Sequence, residues 1–540
     1  MQYSGRQAPI PRIAFGIRVA ALFVLLAFLG GGEAAAQAAG ADVRLGNLRD
    51  SFQNAFPGQP TTLTGGWTWG ASINLEETYN SATQNSRNTG SKPDFYTSIT
   101  PSLSVQGDAP RLSGSLFYSP QARFYAKSAS QNSIFHSFNG SGHLTVVPDL
   151  AYIDLHGSSS LQSRSGGVGP NGTTSLSQQD SVQTSSLSAD TYLVHRFDNF
   201  GSARLGYTIS QTIISGAENQ VVSPFVTPQS NQSLRTMSPH FSFTTGDYFG
   251  RFQGTLSAQA STNQGRGPLA GSSRSSETFN MSYALTRIWT LTGSIGHEKI
   301  DYTGLNPIHI DGPTWSGGVT VTPDPNTSVA ISYGQKSGRP SLTVDANTVL
   351  SPRIVMSANY SELLSTSAED LQNSLASSSV GAGGVAINST TGAPIISSSN
   401  FNGTQGGLTY SKNTNSTLTW LRNRDTVSFT VSRVQSSVIS AATIGGPTAS
   451  TSLNGTLSWQ HEFSENLRGN IFTMYGQRSA LSALRTNVHQ TTMTIFTGLT
   501  YAISQTLSSH LQATYTATTA PLATQKTNST MIVFGLNKMF

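Results

Sequence analysis

The 540-residue chain contains no cysteine, which rules out a disulfide framework. Charge is scarce: Asp, Glu, Lys and Arg make up 11% of the residues, where a water-soluble globular domain carries about a quarter. Hydrophobic residues are also few, at 36%, and Ser, Thr, Gly, Asn and Gln fill the place of both. Beyond residues 19–29 no apolar run approaches the roughly 20 residues that a membrane-spanning helix needs, so no helix is expected to anchor the mature chain. The formal net charge is +5, and taking away Arg6, Arg12, Arg18 and Glu33 of the N-terminal leader leaves +3. That near balance argues against a nucleic-acid partner. A chain short of charge and of long apolar runs suits a membrane-spanning sheet, in which one face has no use for charge and the other is polar without being ionic.

The two ends agree. Arg6, Arg12 and Arg18 precede the apolar run 19–29, which is followed by Ala34-Ala35-Ala36-Gln37-Ala38, the layout of a secretory signal peptide cleaved after Ala36 or Ala38. The last residue is Phe540. It closes a segment in which Met531, Val533, Gly535 and Asn537 alternate with Ile532, Phe534, Leu536 and Lys538. A strand ending on an aromatic residue is the signal read by the machinery that inserts bacterial outer-membrane barrels, although Lys538 stands where an apolar residue is usual.

Between these ends the chain alternates at period two, the pattern of strands with two unlike faces. Trp67, Trp69, Ala71, Ile73 and Leu75 oppose Thr68, Gly70, Ser72, Asn74 and Glu76; Phe95, Thr97, Ile99, Pro101 and Leu103 oppose Tyr96, Ser98, Thr100, Ser102 and Ser104. The connections alternate as well. Short ones fall at 107–110, 148–149, 198–201, 246–247, 287, 323–326, 351–352, 422–425, 464–466 and 504, where Asp, Asn, Pro and Gly supply turn chemistry. Longer polar loops are expected at 80–94, 160–181, 213–231, 262–275, 301–313, 364–405 and 436–450. Short turns on one rim and long loops on the other predict an all-β, transmembrane, antiparallel up-and-down β-barrel of about 22 strands, within 18 to 24, with turns in the periplasm and loops outside. A β-propeller would need four short strands per repeat rather than two long ones. Phe197, Phe200, Tyr248, Phe249, Trp289, Trp420, Phe463, Tyr501 and Phe540 all fall beside short turns, where aromatic girdles anchor such barrels.

A search for catalysis is negative. His297-Glu298 and His461-Glu462 lack the second histidine of a zinc-protease helix, and no Gly-x-Ser-x-Gly elbow, phosphate loop or calcium loop is present. Neither an enzyme, a cofactor nor a metal site is expected. The polar face is mostly Ser, Thr, Asn and Gln. Tyr96, Phe117, Arg123, Tyr125, Tyr152, Asp154, Tyr192 and Arg204 are the candidate lumen-lining residues, with Glu76, Arg111 and Arg251 as further charges. Such a lining suits neutral hydroxylated solutes, which hydrogen-bond to amides and hydroxyls and stack on aromatic faces. A plainer reading, in which these side chains satisfy one another and fill the interior, stays open.

A ring of about 22 strands is wide enough to need a plug. The TonB-dependent receptors use a separate folded domain for this, and residues 37–66 leave no room for one. A short amphipathic helix carrying Val43, Leu45, Leu48, Phe52 and Phe56, or the loops 160–181 and 364–405, are the segments expected to occlude the lumen. Residues 368–375 of the second loop read as a helical turn or two. The expected organisation is a signal peptide at 1–36, a periplasmic segment at 37–62 and the barrel at 63–540.

Residues 97–112, Thr-Ser-Ile-Thr-Pro-Ser-Leu-Ser-Val-Gln-Gly-Asp-Ala-Pro-Arg-Leu, followed by Tyr118-Ser119-Pro120-Gln121, resemble the opening hairpin of the outer-membrane proteins associated with PEP-CTERM and exopolysaccharide systems. Ser351-Pro352-Arg353 leading to Ser357-Ala358-Asn359-Tyr360-Ser361-Glu362 is similar to a second hairpin of that family. The resemblance covers about a tenth of the chain, marks strands and turns rather than a site, and implies a non-enzymatic barrel tied to polysaccharide export or surface assembly. A general or sugar-selective uptake porin and a surface adhesin or scaffold are the alternatives. The expected location is the outer membrane of a Gram-negative cell. The partners expected there are outer-membrane lipid, lipopolysaccharide, the barrel-assembly machinery, which would read Phe540, and, from the resemblance, polysaccharide.

Overall fold

The computed structural model of the chain describes residues 61–63, 66–86, 90–163, 181–215, 231–267, 269–303, 306–366, 369, 378–380, 386–388, 408–440, 448–481, 487–519 and 527–540. The leader at 1–36, the helix expected between Val43 and Phe56, and most of the loops 160–181, 213–231 and 364–405 lie outside them.

One sheet of 23 strands contains the short Thr61–Leu63 strand and 22 strands that form a ring. Each ring strand pairs antiparallel with its neighbours in sequence. The ring closes where Trp67–Ser86 pairs with Gly90–Ala109 on one side and with Thr527–Met539 on the other. Strands run from 10 to 20 residues, against the 9–11 or so that a tilted strand needs to cross the hydrocarbon. The alternation read from the sequence sorts the faces. Leu75, Phe124, Leu205, Ile295, Leu511 and Phe534 stand exposed on the outside, while Asn74, Arg123, Arg204, Ser294, Gln512 and Val533 beside them point inward. A closed ladder with an apolar band facing out leaves the sheet without a free edge in the bilayer, and it places the chain in the outer membrane. The expected girdle is there too: Phe197, Phe200, Tyr248, Trp289, Phe463, Tyr501 and Phe540 are exposed beside the short turns.

All ten expected turns are present, between two residues long at Pro110-Arg111 and six at 246–251. Asp149, Asp198 and Asn423 adopt positive φ there, a conformation that Asp and Asn tolerate better than most residues. The loops are shorter than the sequence suggested. Most of 80–94 is paired, because Trp67–Ser86 and Gly90–Ala109 run on past a register shift between Asn80 and Gln84. Ile308–Asp324 likewise starts inside the expected loop 301–313. Above the membrane the outer face no longer needs to be apolar, so the ladder continues where the alternation fades. The hairpin joining Thr327–Lys336 to Arg339–Ser351 departs from the long-loop rule: Ser337 and Gly338 both have positive φ, as a tight two-residue turn requires.

This low hairpin is covered by its neighbours. Leu234, Leu269, Ile300, Tyr302, Leu364 and Leu408 form a buried apolar cluster at the outer end of the ring, with Ile308, Ile310, Tyr410 and Ile439 against it. Ser440 Oγ donates to the Asn306 carbonyl (2.7 Å), tying two loops together. From the connection between Ile354–Ser365 and Leu408–Arg422 comes a small hairpin, Ser378–Val380 paired with Ala386–Asn388, which lies against Leu112–Tyr125 and Ser133–Val147. Those are the third and fourth strands of the 22-strand ring, and the hairpin springs from between the fifteenth and sixteenth. Its seat is on the opposite wall.

The seam depends on one glycine. His510 Nε2 reaches Glu76 Oε1 (3.1 Å) across the last strand, and Glu76 also accepts from Asn74 Nδ2 (2.7 Å) and Ser98 Oγ (3.0 Å). Gly535 lies under this bridge, where a Cβ would stand 2.3 Å from His510 Cε1. Phe540 N–H donates to the Ala71 carbonyl (2.9 Å), and Lys538 Nζ turns to Thr506 Oγ1 (2.7 Å) at the rim. A lysine on the outward face is tolerated there because its head leaves the apolar band.

Two outcomes are expected. Leu511→Arg, in the outward band, should cost about 2–4 kcal/mol in urea unfolding from lipid vesicles, while the inward neighbour substitution Gln512→Arg should cost far less. Gly535→Val should lower the temperature at which the folded band is lost on a heat-modifiability gel, by displacing His510 from Glu76.

Candidate functional site in the lumen

Five consecutive strands, from Ser133–Val147 to Gln232–Thr245, bring one inward patch together near the short-turn rim. His143 Nδ1–H donates to Asp154 Oδ1 (2.6 Å). Arg204 Nη2 donates to Asp190 Oδ2 (2.6 Å) and stands 3.8 Å from Asp154 Oδ2. Thr208 Oγ1 donates to Asp190 Oδ1 (3.0 Å), and His240 Nε2 approaches the same oxygen at 3.6 Å. On their short-turn side runs an aromatic row: His143, Tyr152 and Tyr192 lie ring to ring at 5.5 and 5.4 Å, with the Arg204 guanidinium 3.5 Å over the Tyr192 ring. Period-two pairing explains the assembly, since Tyr152 is directly opposite Tyr192 in register, and Asp154 opposite Asp190. Gly206 makes room for His240, because a Cβ there would meet Nε2 at 2.3 Å.

The patch therefore holds two carboxylates against one guanidinium, with imidazoles at both ends. These side chains range from 17% exposed at Asp190 to 44% at His143, and water screens the pairs at the open end, so the arrangement orients groups more than it braces the wall. His156 Nδ1 and Arg204 Nε are buried without a hydrogen-bond partner, which leaves donor and acceptor capacity in the patch unused.

A second group gathers higher on Gly90–Ala109, Leu112–Tyr125 and Ser133–Val147. Arg123, 9% exposed, donates through Nε (2.9 Å) and Nη2 (2.7 Å) to Gln121 Oε1. Its guanidinium lies 4.9 Å from the Phe135 ring and 5.7 Å from the Tyr96 ring. Tyr96 packs on Tyr125 at 4.9 Å, and its hydroxyl points at Met531 Sδ (3.9 Å). Of the eight candidates, Tyr152, Asp154, Tyr192 and Arg204 thus join the lower patch, and Tyr96, Arg123 and Tyr125 the upper one. Phe117 joins neither and lies opposite Asn139 in register. Arg111 and Arg251 sit in short turns at the rim. His143, Asp190, His240, Gln121 and Phe135 were missed; the signal that would have found them is register, since His143, Asp190, His240 and Phe135 each stand on a neighbouring strand within two rungs of a residue that was singled out, and Gln121 is the next inward residue before Arg123 on its own strand.

The rest of the described inner wall is mostly neutral, broken by charged pairs such as Glu76–His510 and Arg274–Glu298. The carboxamides of Asn74, Asn139, Asn413, Asn415, Asn454 and Asn537 each keep one buried atom with no partner, spread around the ring between hydroxyl pairs such as Thr417–Thr430 (3.0 Å) and Ser294–Ser316 (2.6 Å). His297 and Glu298 point to opposite faces, as adjacent strand residues must: His297 meets Asp311 (3.0 Å) outside, and Glu298 meets Arg274 inside.

No family model matches the chain, and no curated protein does. Among solved structures it is similar to the FrpB iron transporter from Neisseria meningitidis (F5-1 variant), at 10% identity and a TM-score of 0.49 over 88% of this chain and 83% of that one. It is also similar to the siderophore receptor PiuA from Acinetobacter baumannii, at 11% identity and a TM-score of 0.47 over 87% and 82%. The ferric-catecholate import receptor Fiu from E. coli K12 follows at 11% and 0.45 over 89% and 82%. What those proteins carry does not transfer to this chain at such distance.

Arg204 faces both carboxylates of the lower patch. Arg204→Gln should leave Asp154 and Asp190 unopposed and shift the reversal potential of a salt gradient across a planar bilayer toward cation preference. Arg123→Gln, in the upper group, should shift it less.

Proposed function

We propose that the chain is a non-enzymatic outer-membrane conduit for a neutral, hydroxylated polymer, acting in exopolysaccharide export or surface assembly. The observation that carries this reading is the inner wall itself: a ring lined with hydroxyls and carboxamides, several of them without protein partners, and holding a stacked Tyr152–Tyr192 row beside two carboxylates. Sugar hydroxyls match that lining as both donors and acceptors, and the C–H face of a sugar ring matches an aromatic side chain. Many weak contacts suit passage better than one tight site, because a conduit must release what it takes up. Export, rather than uptake, is favoured by the resemblance of the 97–112 hairpin and the 351–362 segment to barrels of exopolysaccharide systems.

The test is electrical. Purified protein in a planar bilayer should conduct, and neutral polysaccharide from the producing cell should block the current reversibly. Tyr152→Ala should weaken that block several-fold without lowering conductance. A barrel that conducts but is indifferent to the polymer, in a cell whose secreted polysaccharide survives deletion of the gene, would overturn the reading.

A further inference from the structure

Asn359 lies on the inner face of Ile354–Ser365, and its register partners carry related chemistry from strand to strand. It stands opposite Asp345 of Arg339–Ser351 on one side and Asn415 of Leu408–Arg422 on the other. Asn415 is opposite Ser432 of Asp425–Ser440, Ser432 is opposite Asn454 of Ala449–Glu462, and Asn454 is opposite Gly476 of Leu467–Leu481. Leu418, Phe429, Leu453 and Tyr475 hold the exposed outward positions of these strands, so the row faces the lumen. One rung of the sheet thus carries a carboxylate and three carboxamides across six strands.

These groups keep capacity to bind. Asn359 Nδ2 donates to Asp345 Oδ1, which leaves the Asn359 side-chain oxygen as an acceptor. Asn415 Oδ1 and Asn454 Nδ2 have no protein partner; one is an acceptor, the other a donor. Ser432 is buried and forms the floor between them. Gly476 keeps the end of the row low, since a Cβ there would stand 2.4 Å from Asn454 Oδ1. The terminal torsion of Asn is broad and roughly two-fold, so each carboxamide can turn either its donor or its acceptor toward whatever lies over it. The next inward rung toward the short turns is different. It holds Ser357, Thr417, Thr430 and Thr456 in register, and Thr417 and Thr430 close on each other (3.0 Å).

Spacing decides what fits. Rung partners stand about 4.8 Å apart, close to the advance of one pyranose unit in an extended glycan, so successive sugars meet successive strands. Across six strands the row is about 24 Å long, and because the strands tilt by about 35–45° it climbs the wall by about 15 Å. The row is a ramp rather than a hoop. It lies on a different stretch of wall from the Tyr152–Tyr192 patch.

We infer that this rung is a glycan track: a row of weak subsites, one per strand, along which a neutral, extended polysaccharide moves with its units in register with the sheet. Each unit exchanges the hydrogen bonds of one strand for the equivalent bonds of the next, so no step of the advance strips the polymer of many contacts at once. The track takes its ligand from the conduit reading and adds where in the lumen the polymer lies.

The experiment records current block in planar bilayers by cello-oligosaccharides, from cellobiose to cellohexaose, on the full chain and on a triple variant carrying Asn359→Ala, Asn415→Ala and Asn454→Ala. Dwell time on the full chain should rise with each added sugar, several-fold over the series. The triple variant should lose that rise while keeping the heat-modifiable gel shift of a folded barrel. Thr456→Ala, off the track, should retain it. Dwell times independent of length on the full chain overturn the track. A folded triple variant that is still blocked like the full chain, by the oligomers and by polysaccharide from the producing cell, also overturns it and leaves the conduit reading standing. Length-dependent dwell that vanishes in the triple variant, in a protein whose deletion leaves secreted polysaccharide unchanged, upholds the track and sinks the export reading instead.

Discussion

Backbone hydrogen bonding in hydrocarbon governs everything else in this molecule. An unpaired N–H or C=O in the bilayer costs several kcal/mol, so a sheet that enters it must have no edge, and the ladder between Trp67–Ser86 and Thr527–Met539 is what removes the edge. The C-terminal strand is the piece that makes a curved sheet into a ring. Once the ring exists, the composition follows. Apolar residues are needed on alternate positions over a membrane-thick band and nowhere else, which is why the hydrophobic fraction is low in a protein that lives in lipid.

That constraint also explains what could be read from the sequence. Strand count, turn positions and facing were legible because each strand repeats the same two-faced rule and each short turn carries its own chemistry; Asp149, Asp198 and Asn423 stand in the left-handed region where turn residues are expected. The rule weakens above the membrane. There Gln84, Asn85 and Ser86 pair as well as any residue in the band, yet nothing in their types marks a face. The tight Ser337-Gly338 turn was masked for a related reason, since its short reach matters only beside neighbours that fold over it.

The lumen was half legible. Inward residues of striking chemistry, such as Arg204 and Tyr192, announce themselves by contrast with the serine and threonine around them, but which of them meet depends on pairing register between strands. Asp190 shows the difference. It is one acid among many in the sequence, and it becomes the hub of Arg204, Thr208 and His240 only when Ser181–Phe197, Gly201–Ser215 and Gln232–Thr245 are laid side by side.

Width sets the last demand. Closing 22 strands yields a hole that side chains alone cannot span, and a cell cannot leave such a hole open to the medium. The lining answers part of that demand: the carboxamide atoms left without a protein partner at Asn74, Asn139, Asn413, Asn415, Asn454 and Asn537 hydrogen-bond to water in the lumen, because a polar group kept from both protein and water costs free energy.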